Sequence, residues 1–250
     1  MVMAKQPPVP DPLIFVPRQG KPQLLFVLLH GESADPQQVA PLADAIKLAF
    51  PMAIVVLPYG FHQPSWQDEQ PGGYHWIDPG NPEDENYRAR VAASVNPLIE
   101  LIRTLQEKFG LSGQQTALAG FSQGASMALE ASHADHGLAG RVLAFSGLYA
   151  TMPAVVPPAT LLHFFHGAND QQVSVQEVES TLSQLASLQG DATLDVASRI
   201  GHELHEALIR QAIVRLQTCV PLRSWEDAMS TLQEDQLREK QAGQGGPTLH

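Results

Sequence analysis

Three residues of types used in nucleophilic catalysis occur in order along the chain, each after an apolar run. Ser122 lies in Gly-Phe-Ser-Gln-Gly (residues 120–124) after the run TALAGF, while Asp170 comes shortly after TLLHFFHG and His202 after ATLDVAS. A serine hydroxyl becomes a good nucleophile only when a base removes its proton, and that base must be oriented by an acid. The order serine, aspartate, histidine therefore predicts a catalytic triad for acyl transfer.

The pattern Gly-x-Ser-x-Gly supports this prediction because of its setting between an apolar run and the small-residue stretch ASMALEAS. A nucleophile on a tight turn from strand to helix takes strained backbone angles, and the flanking glycines let neighbouring elements approach closely. The helix N-terminus then offers N–H groups to a developing oxyanion. The same pattern occurs by chance in unrelated loops, but here its setting favours the catalytic interpretation.

Both partners of the serine have competing interpretations. The alternative role of Asp170 is to cap the helix that follows it. His205 lies three residues after His202, about one helical turn away, and is the alternative base. The loop position of His202 favours His202, and His205 is expected to pack or to form a hydrogen bond near the site.

A second oxyanion donor is expected from the loop after the first central strand, which here begins His-Gly-Glu-Ser at residue 30. We predict that the backbone N–H groups of Glu32 and Gln123 form the oxyanion hole. The carboxylate of Glu32 would then lie near the acyl site, where it is expected to disfavour anionic substrates.

The elements that must position these residues alternate along the chain. Short apolar runs, as expected for strands buried on both faces, cover residues 24–31, 53–60, 116–122, 140–147, 160–167 and 192–198. Apolar spacings of three and four predict helices at 41–50, 87–109, 123–133, 174–188 and 202–218. The pattern predicts an α/β fold with a mainly parallel central sheet, helices on both faces and the site at the carboxyl ends of the strands.

Two segments outside this alternation are expected beside the site. Residues 61–86 are rich in Pro, Gly, acidic and aromatic residues, and Trp76 within them is predicted to contact substrate. Leu148 begins the segment LYATMPAVVPPA, whose apolar wall suits a short to medium acyl chain or ordinary packing.

Composition and charge argue against several classes of protein. A net charge of −11 over 250 residues disfavours a nucleic-acid partner, and no apolar run approaches the roughly 18 residues that span a bilayer. Four prolines among the first twelve residues disfavour a secretory signal. The single Cys219 agrees with a reducing compartment, so we expect a cytoplasmic protein.

The composition predicts three parts along the chain. Residues 1–19 are predicted as an N-terminal extension, 20–217 as one catalytic domain, and 218–250 as a polar C-terminal tail in which a short helix is expected.

These motifs resemble the carboxylesterase and phospholipase group of α/β-hydrolases, which includes acyl-protein thioesterases, and within it the small bacterial cytoplasmic esterases. The resemblance covers roughly residues 20–217 and rests on LLHGESAD, YHWID, GFSQG, HGANDQQV and the pair Gly201-His202. It implies an α/β-hydrolase fold and cofactor-free hydrolysis of short acyl esters or thioesters through an acyl-enzyme. The resemblance is also compatible with lysophospholipase activity and with a homodimer. Where the family usually has a glycine after His-Gly, this chain has Glu32, Ser33 and Ala34, which implies a differently shaped or charged oxyanion loop.

The sequence also allows a few other interpretations. A non-catalytic binding protein that retains the fold is the main alternative, although the intact order of the triad weighs against it. A peptidase or lipase is disfavoured because the elements leave no room for a large cap domain. Metal catalysis is disfavoured too, since HELHE is not the His-Glu-x-x-His pattern of zinc peptidases. No nucleotide-binding motif is present, and no cofactor is expected.

Overall fold

A seven-stranded sheet lies at the centre of this computed structural model, which describes residues 9–63, 73–79 and 86–218. The strands are β1 (Leu13–Phe15), β2 (Leu24–Leu29), β3 (Ala53–Leu57), β4 (Thr116–Phe121), β5 (Arg141–Phe145), β6 (Leu161–Gly167) and β7 (Ala192–Ala197). Their order in the sheet is β1-β3-β2-β4-β5-β6-β7, and every pair is parallel except β1 with β3. The six predicted strands and the mainly parallel sheet are confirmed.

Five α-helices pack on the two faces of the sheet within the described residues. They are α1 (Ala40–Ala49), α2 (Tyr87–Phe109), α3 (Gln123–Ala134), α4 (Val175–Ser187) and α5 (Glu206–Thr218). One apolar cluster joins α2, α3 and α4 to the sheet, and a second joins α1 and α5 to the opposite face. The predicted α/β-hydrolase fold with helices on both faces is therefore confirmed.

The central strands are apolar throughout because both of their faces are covered. All six residues of β2, LLFVLL, are buried, as are all six residues of β4, TALAGF. The edge strand β7, ATLDVA, is only half-buried and pairs with β6 alone. Its Asp195 forms a two-point ion pair with Arg215 of α5, with N–O distances of 2.7 and 2.9 Å.

The N-terminal boundary of the sheet differs from the predicted domain division. The strand β1 lies inside residues 1–19, which the sequence assigned to an extension, and it pairs antiparallel with β3. Only three residues form this strand, and Pro12 and Pro17 flank it, so its apolar signal is too short to identify it. The predicted tail helix falls in residues 219–250, outside the described residues.

The last helix begins later than predicted. Residues 202–205 continue the loop after β7, and α5 starts at Glu206. The ring of His205 accepts the backbone N–H of Ala207 at 3.1 Å, which satisfies one of the N–H groups that a helix start leaves without a partner. None of the helices in the described ranges has the length and hydropathy needed to span a bilayer.

Candidate active site

Ser122, Asp170 and His202 form a chain of hydrogen bonds at the carboxyl ends of β4, β6 and β7. His202 Nε2 lies 3.0 Å from Ser122 Oγ, and His202 Nδ1 lies 2.8 Å from Asp170 Oδ2. An ionised carboxylate can only accept, so Nδ1 bears the imidazole proton and Nε2 is left to accept the proton of the serine. The arrangement can activate the hydroxyl as a nucleophile.

The backbone of Ser122 is strained in the way that the Gly-x-Ser-x-Gly turn predicts. Its φ is 53° and its ψ is −118°, which is a sparsely populated conformation for a residue with a side chain. Its N–H donates to the oxygen of Phe145 at 2.8 Å, so the neighbouring strand β5 holds the turn in place. The residue that follows, Gln123, is the first residue of α3.

The two glycines of the motif allow contacts that any side chain would block. A Cβ at Gly120 would lie 2.3 Å from the carbonyl carbon of Gly124, where β4 meets α3. A Cβ at Gly124 would lie 2.4 Å from the backbone oxygens of His30 and Leu29. The start of α3 therefore lies directly against the end of β2 and the loop that follows it.

Asp170 is held as a carboxylate by three hydrogen bonds. Its Oδ1 accepts the N–H groups of Gln172 and Val173 at 2.9 and 3.0 Å, and its Oδ2 accepts from His202. Burial acts to raise the pKa of Asp170, but the bonds from Val173, His202 and Gln172 outweigh burial and lower that pKa below its ordinary value. The alternative role as a helix cap is not observed, because the side chain of Ser174 caps α4.

A second histidine supports the loop that contains Asp170. The side chain of His166 is 2% exposed, and its Nε2 lies 2.8 Å from the oxygen of Val173 and 3.5 Å from Asp170 Oδ2. No role was predicted for His166 from the sequence. Its position in HGANDQQV, four residues before the aspartate, was the available signal. His205, the alternative base, is instead occupied at the start of α5.

The residues predicted to supply the oxyanion hole lie on two backbone segments that meet. Gln123 is the first residue of α3, so its N–H has no acceptor within the helix. Glu32 lies just beyond β2, in the loop that contacts Gly124. The loop residue Ser33 has a φ of 53°, in the left-handed region that favours glycine.

The position of Trp76 does not fit its predicted role of contacting substrate. Its side chain is fully buried, which leaves it no surface for a substrate to touch. Its backbone N–H donates to Gln123 Oε1 at 2.7 Å, and its ring Nε1–H donates to the oxygen of His30 at 2.8 Å. Trp76 therefore ties the residue after the nucleophile to the loop after β2. Leu148 is partly exposed and packs against the core, and its contact with substrate stays a prediction.

The carboxylate of Glu32 is exposed and lies 3.6 Å from His75 Nδ1. The interaction with His75 lowers the pKa of Glu32 despite the opposing effect of partial burial, so the group is negatively charged at neutral pH. The loop of Glu32 is also paired with the segment of His75 through the bridge between Ala34 and Tyr74. The loop after β2 therefore carries an exposed negative charge at Glu32.

Known proteins resemble this chain in sequence and in structure. The phospholipase/carboxylesterase family model matches residues 12–220. Esterase YpfH of Escherichia coli K12 is 34% identical over 208 residues, which is 83% of this chain and 88% of that protein. The crystal structure of esterase PE8 superposes with a TM-score of 0.71 at 26% identity, covering 85% of this chain and 99% of the other.

A more distant structure shares the fold alone. The Bacillus cereus carboxylesterase has a TM-score of 0.66 at 16% identity, covering 87% of this chain and 94% of the other. The family match spans nearly all of the sheet and helices, and the sequence relative covers most of both chains. The chain therefore belongs to the phospholipase/carboxylesterase family and is an esterase of the α/β-hydrolase fold.

Proposed function

We propose that the esterase reaction uses Ser122 as the nucleophile, His202 as the general base and Asp170 as the group that orients the base. The observation that supports this most directly is the 3.0 Å contact between His202 Nε2 and Ser122 Oγ. The 2.8 Å bond from His202 to a carboxylate with a lowered pKa adds to it, because a charged Asp170 stabilises the imidazolium that forms during the reaction.

The proposed mechanism has two steps, acylation and deacylation, and each passes through an oxyanion. Ser122 Oγ attacks the ester carbonyl while its proton passes to His202 Nε2, and the backbone N–H groups of Glu32 and Gln123 donate to the oxyanion. Collapse expels the alcohol or thiol, which takes the proton from His202 and leaves an acyl-enzyme. Water, deprotonated by the same histidine, then attacks the acyl carbon. The bond between that carbon and Ser122 Oγ breaks, Ser122 Oγ takes the proton back from His202, and the carboxylic acid is released.

The proposed substrates are small oxyesters or thioesters with short to medium acyl chains. The apolar segment that begins at Leu148 directly follows β5, the strand that holds the nucleophile turn, and this position supports a role as the acyl wall. A series of p-nitrophenyl esters from acetate to dodecanoate tests the proposal. We expect kcat/KM to fall beyond medium chain lengths, whereas faster cleavage of dodecanoate or of peptide amides would contradict it.

We also propose a cytoplasmic protein that forms a homodimer. The single cysteine supports the compartment, and the family resemblance supports the dimer. Cell fractionation tests the compartment, and analytical ultracentrifugation at micromolar concentration tests the dimer. A membrane-bound or secreted fraction, or a sedimentation coefficient for a monomer, would overturn the corresponding assignment.

Hydrolysis of p-nitrophenyl butyrate by Ser122→Ala tests the nucleophile. We expect kcat to fall by about four to six orders of magnitude, because the acyl-enzyme cannot form. Ser183→Ala is the matched control, since its hydroxyl bonds only the backbone of its own helix α4 on the exposed surface. Circular dichroism checks that both variants fold. Retention of wild-type kcat by Ser122→Ala would refute the assignment of the triad.

A further inference from the structure

We infer that His30 is a positioning residue that fixes the peptide between Gly31 and Glu32, the peptide whose N–H is assigned above to the oxyanion hole. The inference rests on that proposed function. His30 is fully buried at the end of β2, and its ring contacts backbone atoms on two sides.

The two ring contacts define the protonation state of His30. The backbone N–H of Gly60 donates to His30 Nε2 at 2.9 Å, and His30 Nδ1 lies 2.7 Å from the oxygen of Gly31. A backbone N–H can only donate and a carbonyl can only accept. The ring must therefore be neutral with its proton on Nδ1, because only this form satisfies both contacts.

The contact with Gly31 determines where the next N–H points. The oxygen of Gly31 and the N–H of Glu32 belong to one peptide group, and no cis peptide occurs in the described residues. In a planar trans peptide the C=O and the N–H point in opposite directions. By holding the oxygen, the Nδ1–H of His30 directs the Glu32 N–H to the opposite side.

This peptide needs a fixed orientation because it follows a glycine. Gly31 has no Cβ to restrict its ψ, so the peptide after it can rotate more freely than a peptide after another residue, and a hydrogen bond to its oxygen opposes that rotation. The peptide before it is held separately. The Gly31 N–H donates to Gln38 Oε1 at 2.6 Å, and the oxygen of His30 accepts from the ring of Trp76. His30 is thus the observed side-chain restraint on the orientation of the Glu32 N–H.

The surroundings of His30 favour the neutral ring. Burial lowers the pKa of His30 and outweighs the opposing effects of the Gly31 bond and of the charge on Asp35. His75 is the other titratable group that acts on the ring, and it lowers the same pKa further. A protonated ring would have a second N–H facing the Gly60 N–H, so protonation would break the contact that anchors Nε2.

Two substitutions separate the two ring contacts. In His30→Asn the amide nitrogen is bonded to Cγ, as Nδ1 is, and can still donate to the Gly31 oxygen. In His30→Gln the amide oxygen is one atom further out, as Nε2 is, and can accept from Gly60 but leaves Gly31 without its donor. We expect His30→Asn to keep kcat within about tenfold of wild type, and His30→Gln to lose about a hundredfold in kcat with KM changed by less than about threefold.

A tetrahedral inhibitor separates positioning from a structural defect. An alkyl trifluoromethyl ketone adds to the serine and places an oxyanion in the hole, whereas the product carboxylate butyrate tests ordinary binding. We expect the inhibition constant of the ketone to worsen in His30→Gln by the same factor as kcat/KM, with butyrate inhibition unchanged. Equal kcat in both variants, or loss of kcat with unchanged ketone affinity, would overturn the inference.

Nitrogen NMR of the histidines tests the geometry without relying on activity. Two-bond proton–nitrogen spectra of the folded Ser122→Ala protein should show the His30 ring, assigned by comparison with His30→Asn, as the Nδ1–H tautomer at pH 7. A ring protonated on Nε2 would refute the inference even if the triad is correct. Full activity of Ser122→Ala would instead refute the proposed function, and the NMR result would still report on the ring.

Discussion

At the scale of the residue, the charge of Glu32 is the feature of the site that departs most from the family pattern. Its backbone N–H is assigned to the oxyanion hole, while its carboxylate extends from the same residue to the rim. The pairing with His75 keeps the carboxylate ionised, but the side chain is 59% exposed, so water screens much of its field. A modest selection between substrates follows, and the reaction rate on neutral esters should depend little on this charge.

Glu32→Gln should therefore change selectivity more than rate. We expect kcat/KM for p-nitrophenyl hemisuccinate, which is anionic, to rise about three- to tenfold relative to p-nitrophenyl butyrate, because about 1 kcal/mol of repulsion is removed. Glu179→Gln on the exposed face of α4 removes the same charge far from the site and serves as the control. An unchanged ratio between the two esters would show that the carboxylate does not act on bound substrate.

The sequence identified the chemistry of single residues better than their contacts. Ser122, Asp170 and His202 were predicted because their types and order have a specific chemical use, and the structure brings their side chains into contact. The bond between His30 and Gly60 was not predictable, because it joins residues 30 positions apart through a ring whose tautomer the sequence does not specify. Trp76 was assigned to substrate because aromatic composition does not distinguish a buried ring from an exposed one.

At the scale of the element, the packing of α3 against the end of β2 brings together the two segments that carry the proposed oxyanion donors. Gly124 is the contact point, since any Cβ there would meet backbone oxygen rather than a side chain that can move aside. Helix α3 would have to shift as a unit to relieve such a clash, and Gln123 would shift with it.

Gly124→Ala should consequently reduce activity more than stability. We expect kcat to fall at least a hundredfold, because a displaced Gln123 N–H no longer reaches the oxyanion. Gly137→Ala is the matched control, since a Cβ there meets nothing closer than 3.7 Å. Steady-state kinetics and thermal unfolding of both variants provide the measurement. If Gly124→Ala keeps wild-type kcat, α3 does not position the hole in the way described.

Elements were predictable where their apolar signal was long. The buried strands β2 to β6 and the helices α1 to α4 begin and end within about three residues of the predicted bounds. The short strand β1 was missed because tertiary pairing with β3, rather than local propensity, creates it. The start of α5 was placed too early because apolar spacing does not locate a helix cap, which here is the ring of His205.

At the scale of the whole molecule, buried histidines link stability to acidity. The ring of His163 in β6 bonds Thr193 Oγ1 at 2.8 Å and lies 3.5 Å from the Arg141 guanidinium. Burial, and then the charges of Arg141 and Arg215, lower the pKa of His163 from 6.5 to about 4. The unfolded chain therefore binds a proton that the folded protein excludes, and acid favours unfolding.

The free energy of unfolding should fall as the pH drops from about 6.5 towards about 4. The contribution of neutral His163 to the free energy of unfolding is fully present above pH 6.5 and is lost below about pH 4. The loss amounts to about 3 kcal/mol. Urea unfolding of wild type and His163→Gln at pH 7, 5.5 and 4.5 measures it, with exposed His136→Gln as the control. We expect a shallower pH dependence in His163→Gln, and an unchanged dependence would contradict the assignment.

The position of the base on the sheet has a consequence for how the protein loses activity. His202 follows β7, which pairs with one neighbour and is half-buried, whereas Ser122 follows the fully buried β4. Edge elements with few buried contacts open locally at a lower free energy than the core does. Detachment of β7 would move His202 away from Ser122, so the serine would lose its base while most of the fold remains intact. Catalytic turnover thus depends on the attachment of the edge strand β7. On heating, activity should be lost before the circular dichroism signal of the helices.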